Sequence, residues 1–302
     1  MRKIVANQPL FLILIVILIF GCAIKHYERG YSHYQRGVNL LQHSLKEQAA
    51  KEFQLAIKEL DKAIDRDPAL TEAYVVRGAS HLNILQLDKA LLNLEVAKRL
   101  GFEGDPSWVL PLTQVSIGGV YYQFGTEQRK NRAVLEKKRR AASDPKLRRN
   151  LEINMKEANI KELSFYEIAA NFYEDTLKLK ELPNSFAILA LQQAILAHYA
   201  ARGSAKPLSE EEVVQAHSKG INELSQKLIE IDSSNPIAHH FLGAALYNKS
   251  DRMSCKEALK HLLIANQVGI PNEVLQYENE DMINDLLSSL AKGESKEERC
   301  NK

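Results

Sequence analysis

Three histidines and one cysteine, His239, His240, His261 and Cys255, are of types that could ligate a metal ion. Their spacing works against it. Neighbours on a helix point about 100° apart, so His239 and His240 seldom face one ion, and no metal is expected. Cys255 and Cys300 could instead form a disulfide in an oxidising compartment, or stay as two unpaired thiols. The sets that would carry catalysis are missing: the sequence has no Gly-x-Ser-x-Gly elbow, no His-Glu-x-x-His, no P-loop and no dinucleotide glycine fingerprint. A non-enzymatic protein without a cofactor is the expectation.

Charge offers a second kind of chemistry. Residues 127–150 hold Arg129, Lys130, Arg132, Lys137, Lys138, Arg139, Arg140, Lys146, Arg148 and Arg149 against only Glu127, Glu136 and Asp144. Such a run is either a solvated face or a seat for an acidic partner, an anionic lipid head group or a cell-wall polymer, held by charge and released by salt. Over all 302 residues the net charge is only +2, and no aromatics interleave the basic residues, so no nucleic acid partner is expected.

The elements that must position these residues are helices. Nine prolines and fourteen glycines among many Leu, Ala, Lys and Glu indicate an all-α chain. Residues 71–101 read as two short antiparallel helices, with Tyr74, Gly78, Ala90, Leu94 and Ala97 at the positions where two backbones approach. This pattern resembles a tetratricopeptide repeat. The resemblance implies a right-handed superhelix of antiparallel helix hairpins, here interrupted by a longer basic hairpin. Ala56, Leu60 and Ala63 precede Ala90, Leu94 and Ala97 by the repeat period (97 − 63 = 34). Gly37 precedes Gly78 by 41, an excess of seven that lengthens the first hairpin by about two turns. Gly243, Ala258, Leu262 and Ala265 repeat the pattern near the C-terminus, with a connection about three residues longer.

Between the repeats the consensus fades. An apolar helix is expected over 108–124, with a close crossing at Gly118-Gly119. Ser143-Asp144-Pro145 turns the chain, and Leu151, Met155, Ala158, Phe165, Ala169, Phe172 and Thr176 line a long amphipathic helix that Glu162 interrupts. A helix over 185–201 leads to a linker at 203–207, and Ser209 with Glu212 forms a capping box. Ile283, Leu286, Leu287 and Leu290 mark a capping helix. The expected divisions are a signal over 1–21, repeats over 22–104, divergent central helices with the basic hairpin over 105–182, repeats over 183–270, a capping helix over 271–292 and a charged tail over 293–302.

Arg2 and Lys3 precede an apolar run over 10–20 that ends on Gly21-Cys22, a length suited to a signal segment rather than a bilayer span. Ile19-Phe20-Gly21-Cys22 resembles the lipobox of bacterial lipoproteins. That resemblance implies lipidation of Cys22 with the mature chain beginning there, as against an uncleaved anchor. Ala23, in place of Asp, implies release to the outer membrane, facing the periplasm.

In tetratricopeptide proteins the first helices line a groove for a peptide or helix. Carried over, that groove is Tyr31, Tyr34, Val38 and Gln42, then Glu72, Val75, Ala79 and Asn83, then Ile237, His240, Ala244 and Asn248. Val75 and Ala79 stand where chaperone-binding relatives have Lys and Asn, so an apolar ligand is implied instead of a carboxylate. The same positions could instead be covered by residues 108–124 or by the N-terminal segment folding back. The function implied is a scaffold or assembly factor for cell-envelope proteins, the alternative being an accessory lipoprotein of a solute-uptake system that binds a small apolar ligand. Cells fed a palmitate analogue should label the wild type and not Cys22→Ala; an unlabelled wild type overturns the lipobox reading.

Overall fold

A computed structural model describes residues 8–102, 107–247 and 252–291. The chain is all-α. Eleven α-helices and one 3-10 turn make up the regular structure among the described residues. They are α1 (Gln8–Gln42), α2 (Lys46–Arg66), α3 (Thr71–Asn83), α4 (Leu87–Leu100), α5 (Val109–Ala141), α6 (Pro145–Leu177), α7 (Asn184–Ala205), the 3-10 turn (Lys206–Leu208), α8 (Glu211–Ile231), α9 (Pro236–Tyr247), α10 (Arg252–Val268) and α11 (Glu273–Ala291). Two compact units divide it, Met1–Phe124 and Gly125–Lys302, with the boundary inside α5.

In the first unit, α2 buries Ala49, Phe53, Ala56, Leu60, Ala63 and Ile64, a stripe at three- and four-residue steps. Two glycines of α1 receive it. A Cβ on Gly30 would lie 2.7 Å from Leu60 Cγ and 3.2 Å from the Ala56 carbonyl, and one on Gly37 would lie 2.7 Å from the Phe53 ring. Gly78 meets Leu94 Cγ at 2.8 Å and the Ala90 carbonyl at 3.2 Å, the same surroundings as Gly30. The glycine facing Leu60 is therefore Gly30, not Gly37. The seven-residue excess belongs to both arms: Gly37 and Phe53 form an added layer one heptad nearer the turn. An antiparallel hairpin lengthened on one arm alone would leave a turn of apolar side chains without a partner, so the insertion is paired. Both turns close alike, with Ser44 (φ 61°) and Leu85 (φ 58°) in the left-handed region.

In the second unit, α5 and α6 meet where a Cβ on Gly125 would lie 2.7 Å from the Tyr166 ring. Asp144 caps α6 by accepting from the Lys146 amide at 2.9 Å, with Pro145 in the first turn. A Cβ on Gly243 would lie 2.7 Å from Leu262 Cγ, much as one on Gly78 would lie 2.8 Å from Leu94 Cγ.

Two expected features differ. Residues 203–205 are not a linker but the last turn of α7, where Ser204 and Ala205 are fully buried. The Ser209–Glu212 capping box is also absent. Ser209 has φ 60° and closes the 3-10 turn through its amide to the Lys206 carbonyl, a backbone unlike the extended one an N-cap needs; Glu210 stands before α8 instead. The Asn248–Cys255 connection falls partly, and the tail over 293–302 wholly, outside the described residues.

Packing at the glycines sets the sign of a substitution. Replacing a mid-helix Gly by Ala normally gains up to about 1 kcal/mol, and Gly203→Ala, with nothing within 4 Å of its Cβ, is expected to do so. Gly78→Ala is expected to lose about 1 to 3 kcal/mol because Leu94 and the Ala90 carbonyl must shift. Urea denaturation of the two variants checks the contrast, and equal gains would refute the close-packing account.

Candidate functional site

The groove positions expected in the first unit are mostly the floor of its core. Val75 has no exposed surface and Ala79 has 2%. Val75 packs with Ala97 and Val109, flanked by Trp108 and Leu112. Tyr31 stacks on Trp108 at 5.4 Å, and Tyr34 meets Phe53 at 5.9 Å. Val38 and Glu72 are half-buried, whereas Gln42 and Asn83 are exposed, Asn83 bonding back to the Ala79 carbonyl. An open apolar groove at Val75 and Ala79 is thus corrected to a buried one, with Trp108 and the start of α5 supplying the apolar side chains that pack on Val75.

In the second unit, Ile237 is buried, and Asn248 lies outside the described residues. His240 and Ala244 border a cleft of about 490 Å³ among α7, α8, α9 and α11. Its apolar surface comes from Ile221, Phe241, Ala244, Ala245 and Met282, and its polar rim from Tyr199, Arg202, Glu278 and Asp281.

The rim is organised. Tyr199 packs its ring tilted against Phe241 at 5.1 Å and donates its hydroxyl to Glu278 at 2.8 Å. Burial first, and the Glu278 carboxylate second, push that hydroxyl up to about 12. Arg202 lies over the Tyr199 ring at 5.1 Å. Asn279 spends its amide on the Leu262 carbonyl, which aims its oxygen at His240 Nδ1, 3.3 Å away, so that Nδ1 donates. Burial holds the His240 pKa below its ordinary value, keeping the ring neutral with Nε2 toward the cleft and 3.9 Å from Glu278. The cleft therefore offers an apolar floor with hydrogen-bonding groups and both signs of charge.

The other histidines are used elsewhere. His239 and His261 share an Nδ1–Nδ1 hydrogen bond at 2.7 Å, and His239 Nε2 donates to the Ser233 carbonyl. Cys255 is packed among Ala258, Leu262, Ile283 and Leu286. No group of three or more His, Cys, Asp and Glu among the described residues is placed to hold a metal. Cys22 is exposed, while Cys300 lies outside the described residues. No described helix is long and apolar enough to cross a membrane.

The basic patch is divided. Lys130, Lys137, Lys138 and Arg149 are exposed. Arg139 and Arg140 both bond to Glu136, which holds that carboxyl down at about 2, and Arg148 donates to the Ala142 carbonyl. Arg129 and Arg132 turn inward to Glu162, which has no exposed surface, at 2.8 and 2.9 Å. Ser204 adds a third bond at 2.8 Å. Burial alone would raise the Glu162 pKa, but the bonds from Arg132, Arg129 and Ser204 outweigh it and the pKa is lowered.

Sequence reasoning missed Arg202 and Lys206 because it ended this helix at residue 201, and Tyr199 without them showed no cluster. Continued through Gly203, the helix puts all three on one face at i, i+3 and i+7.

No family model matches the chain, and no curated protein matches it. Among solved structures it is similar to a hypoxic regulator of sterol synthesis described as a nuclear import adaptor. The two share 9% identity over 89% of this chain and 98% of the other, with a TM-score of 0.39.

Glu162→Gln leaves two guanidinium groups facing a neutral amide. Because Arg129 and Arg132 keep some solvent, the expected loss is about 2 to 3 kcal/mol at neutral pH. A carboxyl depressed by folding contributes stability that is complete above its unfolded value near 4.5 and lost as pH falls toward the folded value. The wild-type advantage should therefore shrink below about pH 4.5 in urea titrations; a gap unchanged between pH 7 and pH 3 would show that charge is not its source.

Proposed function

We propose that this chain is a non-enzymatic protein-interaction scaffold whose C-terminal unit takes an extended peptide or a partner helix in the cleft among α7, α8, α9 and α11. The observation that carries this reading is the composition of the cleft: Phe241, Ala245 and Met282 form an apolar strip wide enough for side chains. Tyr199, His240, Glu278 and Asp281 supply the fixed donors and acceptors that an extended backbone seeks. Trp108 is engaged with Tyr31, and the cleft carries Arg202, Glu278 and Asp281, so a small apolar ligand is the less suited occupant.

The hairpins support a tetratricopeptide-like scaffold. Gly78 and Leu94 are 16 residues apart (94 − 78), as are Gly37 and Phe53 (53 − 37), and each glycine meets its partner within 3 Å. The basic start, the apolar run and an exposed Cys22 support export and lipid anchoring, which would place the scaffold in a bacterial cell envelope, on the outer membrane facing the periplasm.

Selection of a displayed peptide library on the purified protein tests the cleft. Enriched peptides are expected to bind in the micromolar range and to weaken at least about tenfold on Ala245→Trp, which fills the cleft, with helicity unchanged. Peptides that bind the variant equally well, or no enrichment on the wild type, would overturn the assignment.

A further inference from the structure

We infer that the C-terminal unit carries a binding site for a phosphate group, adjoining the peptide cleft and sharing Tyr199 and Arg202 with it. Its seat is a second pocket of about 210 Å³ lined by Arg129, Arg132, Tyr199, Arg202, Gly203 and Lys206. That is several times the roughly 30 Å³ a water molecule occupies in the liquid, room for a phosphate and the first atoms of what bears it.

Four cations from α5, the end of α7 and the start of the 3-10 turn converge there, and the carboxylate bound to Arg129 and Arg132 is Glu162. That carboxylate is fully buried and already accepts from Arg129, Arg132 and Ser204. With Glu278 behind Tyr199 also counted, two negative charges against four positive ones leave an excess of two around a small cavity. Like charges held this closely at a partly desolvated surface repel one another, and an anion relieves the repulsion.

The cations are also held in place. Arg129 lies over the Tyr166 ring at 5.1 Å and donates to the Ala200 carbonyl at 3.3 Å. Arg132 is held through Nε, which leaves its outer nitrogens for the pocket. Arg202 is stacked on Tyr199, a contact that orients the guanidinium without neutralising it. At Gly203 nothing lies within 4 Å of where a Cβ would be, so this wall is open. Preorganised guanidinium forks match pairs of phosphate oxygens, and an excess of two charges suits a dianionic monoester better than a single carboxylate. The phosphate could belong to a soluble ester or to a lipid head group.

Calorimetric titration of the full chain with inorganic phosphate, at ionic strength held constant with sodium chloride, tests this. Saturable binding is expected, with a loss of at least about tenfold in Arg202→Gln/Lys206→Gln. Neither side chain touches Glu162, and circular dichroism should show both proteins equally helical. Lys137→Gln/Lys138→Gln, which removes the same charge from an exposed face, should bind as the wild type does. Absence of saturable binding by the wild type, or equal loss in the two double variants, overturns the proposal. Co-sedimentation with phosphatidylcholine vesicles with and without phosphatidic acid separates the sources. Association that requires Arg202 and Lys206 assigns the site to a lipid phosphate, and phosphate binding without vesicle association assigns it to a soluble ester. Ala245→Trp should retain phosphate affinity, so failure of the cleft reading and failure of this one are read apart.

Discussion

A carboxylate with no exposed surface holds together the helices that make the C-terminal unit useful. Glu162 sits on the inner face of α6 and accepts from Arg129 and Arg132 of α5 and from Ser204 of α7. Removing an ion from water is expensive unless every lone pair finds a donor. That demand fixes where α5 and the last turn of α7 lie against α6. It also draws two arginines out of a solvated run and sets them beside Arg202 and Lys206, so the same interaction builds the core and concentrates the charge at its edge.

Elsewhere the fold rests on backbones that approach closely. At Gly30, Gly78 and Gly243 a leucine and the carbonyl of an alanine four residues before it occupy the space a Cβ would need. Repetition of this contact makes the hairpins alike. The first hairpin departs from the others by an added layer, Gly37 on Phe53, and keeps the turn geometry of the second through Ser44 and Leu85. Length was added without changing how the helices meet.

The surfaces left over are divided by what the covering elements happen to satisfy. Val75 of the first unit loses its solvent to Val109 and Trp108, and Ala79 is buried too, so that face becomes core. In the second unit, α9 and α11 leave His240, Ala244 and Glu278 bordering a cleft. A groove position defined by its place in a repeat is therefore not a groove by that fact alone. Its exposure depends on the next segment of chain.

The sequence by itself determined the all-α class, most helix boundaries and the partners of the packing glycines Gly78 and Gly243, because periodicity and small-residue spacing are local properties of one helix or one hairpin. It also located the basic run and marked Glu162 as a break in an apolar stripe. Only the tertiary structure decided what that break meant. A charged residue on an apolar face reads as an interruption until the arginines that satisfy it, 30 and 33 residues away along the chain, are in view. The same holds for the end of α7. Residues 203–207 have the composition of a linker, and what keeps 203–205 helical is burial of Ser204 and Ala205 together with the bond from Ser204 to Glu162. Local propensity is weaker than a buried charge seeking its last donor, so the residues of the phosphate pocket become legible only once the fold has assembled them.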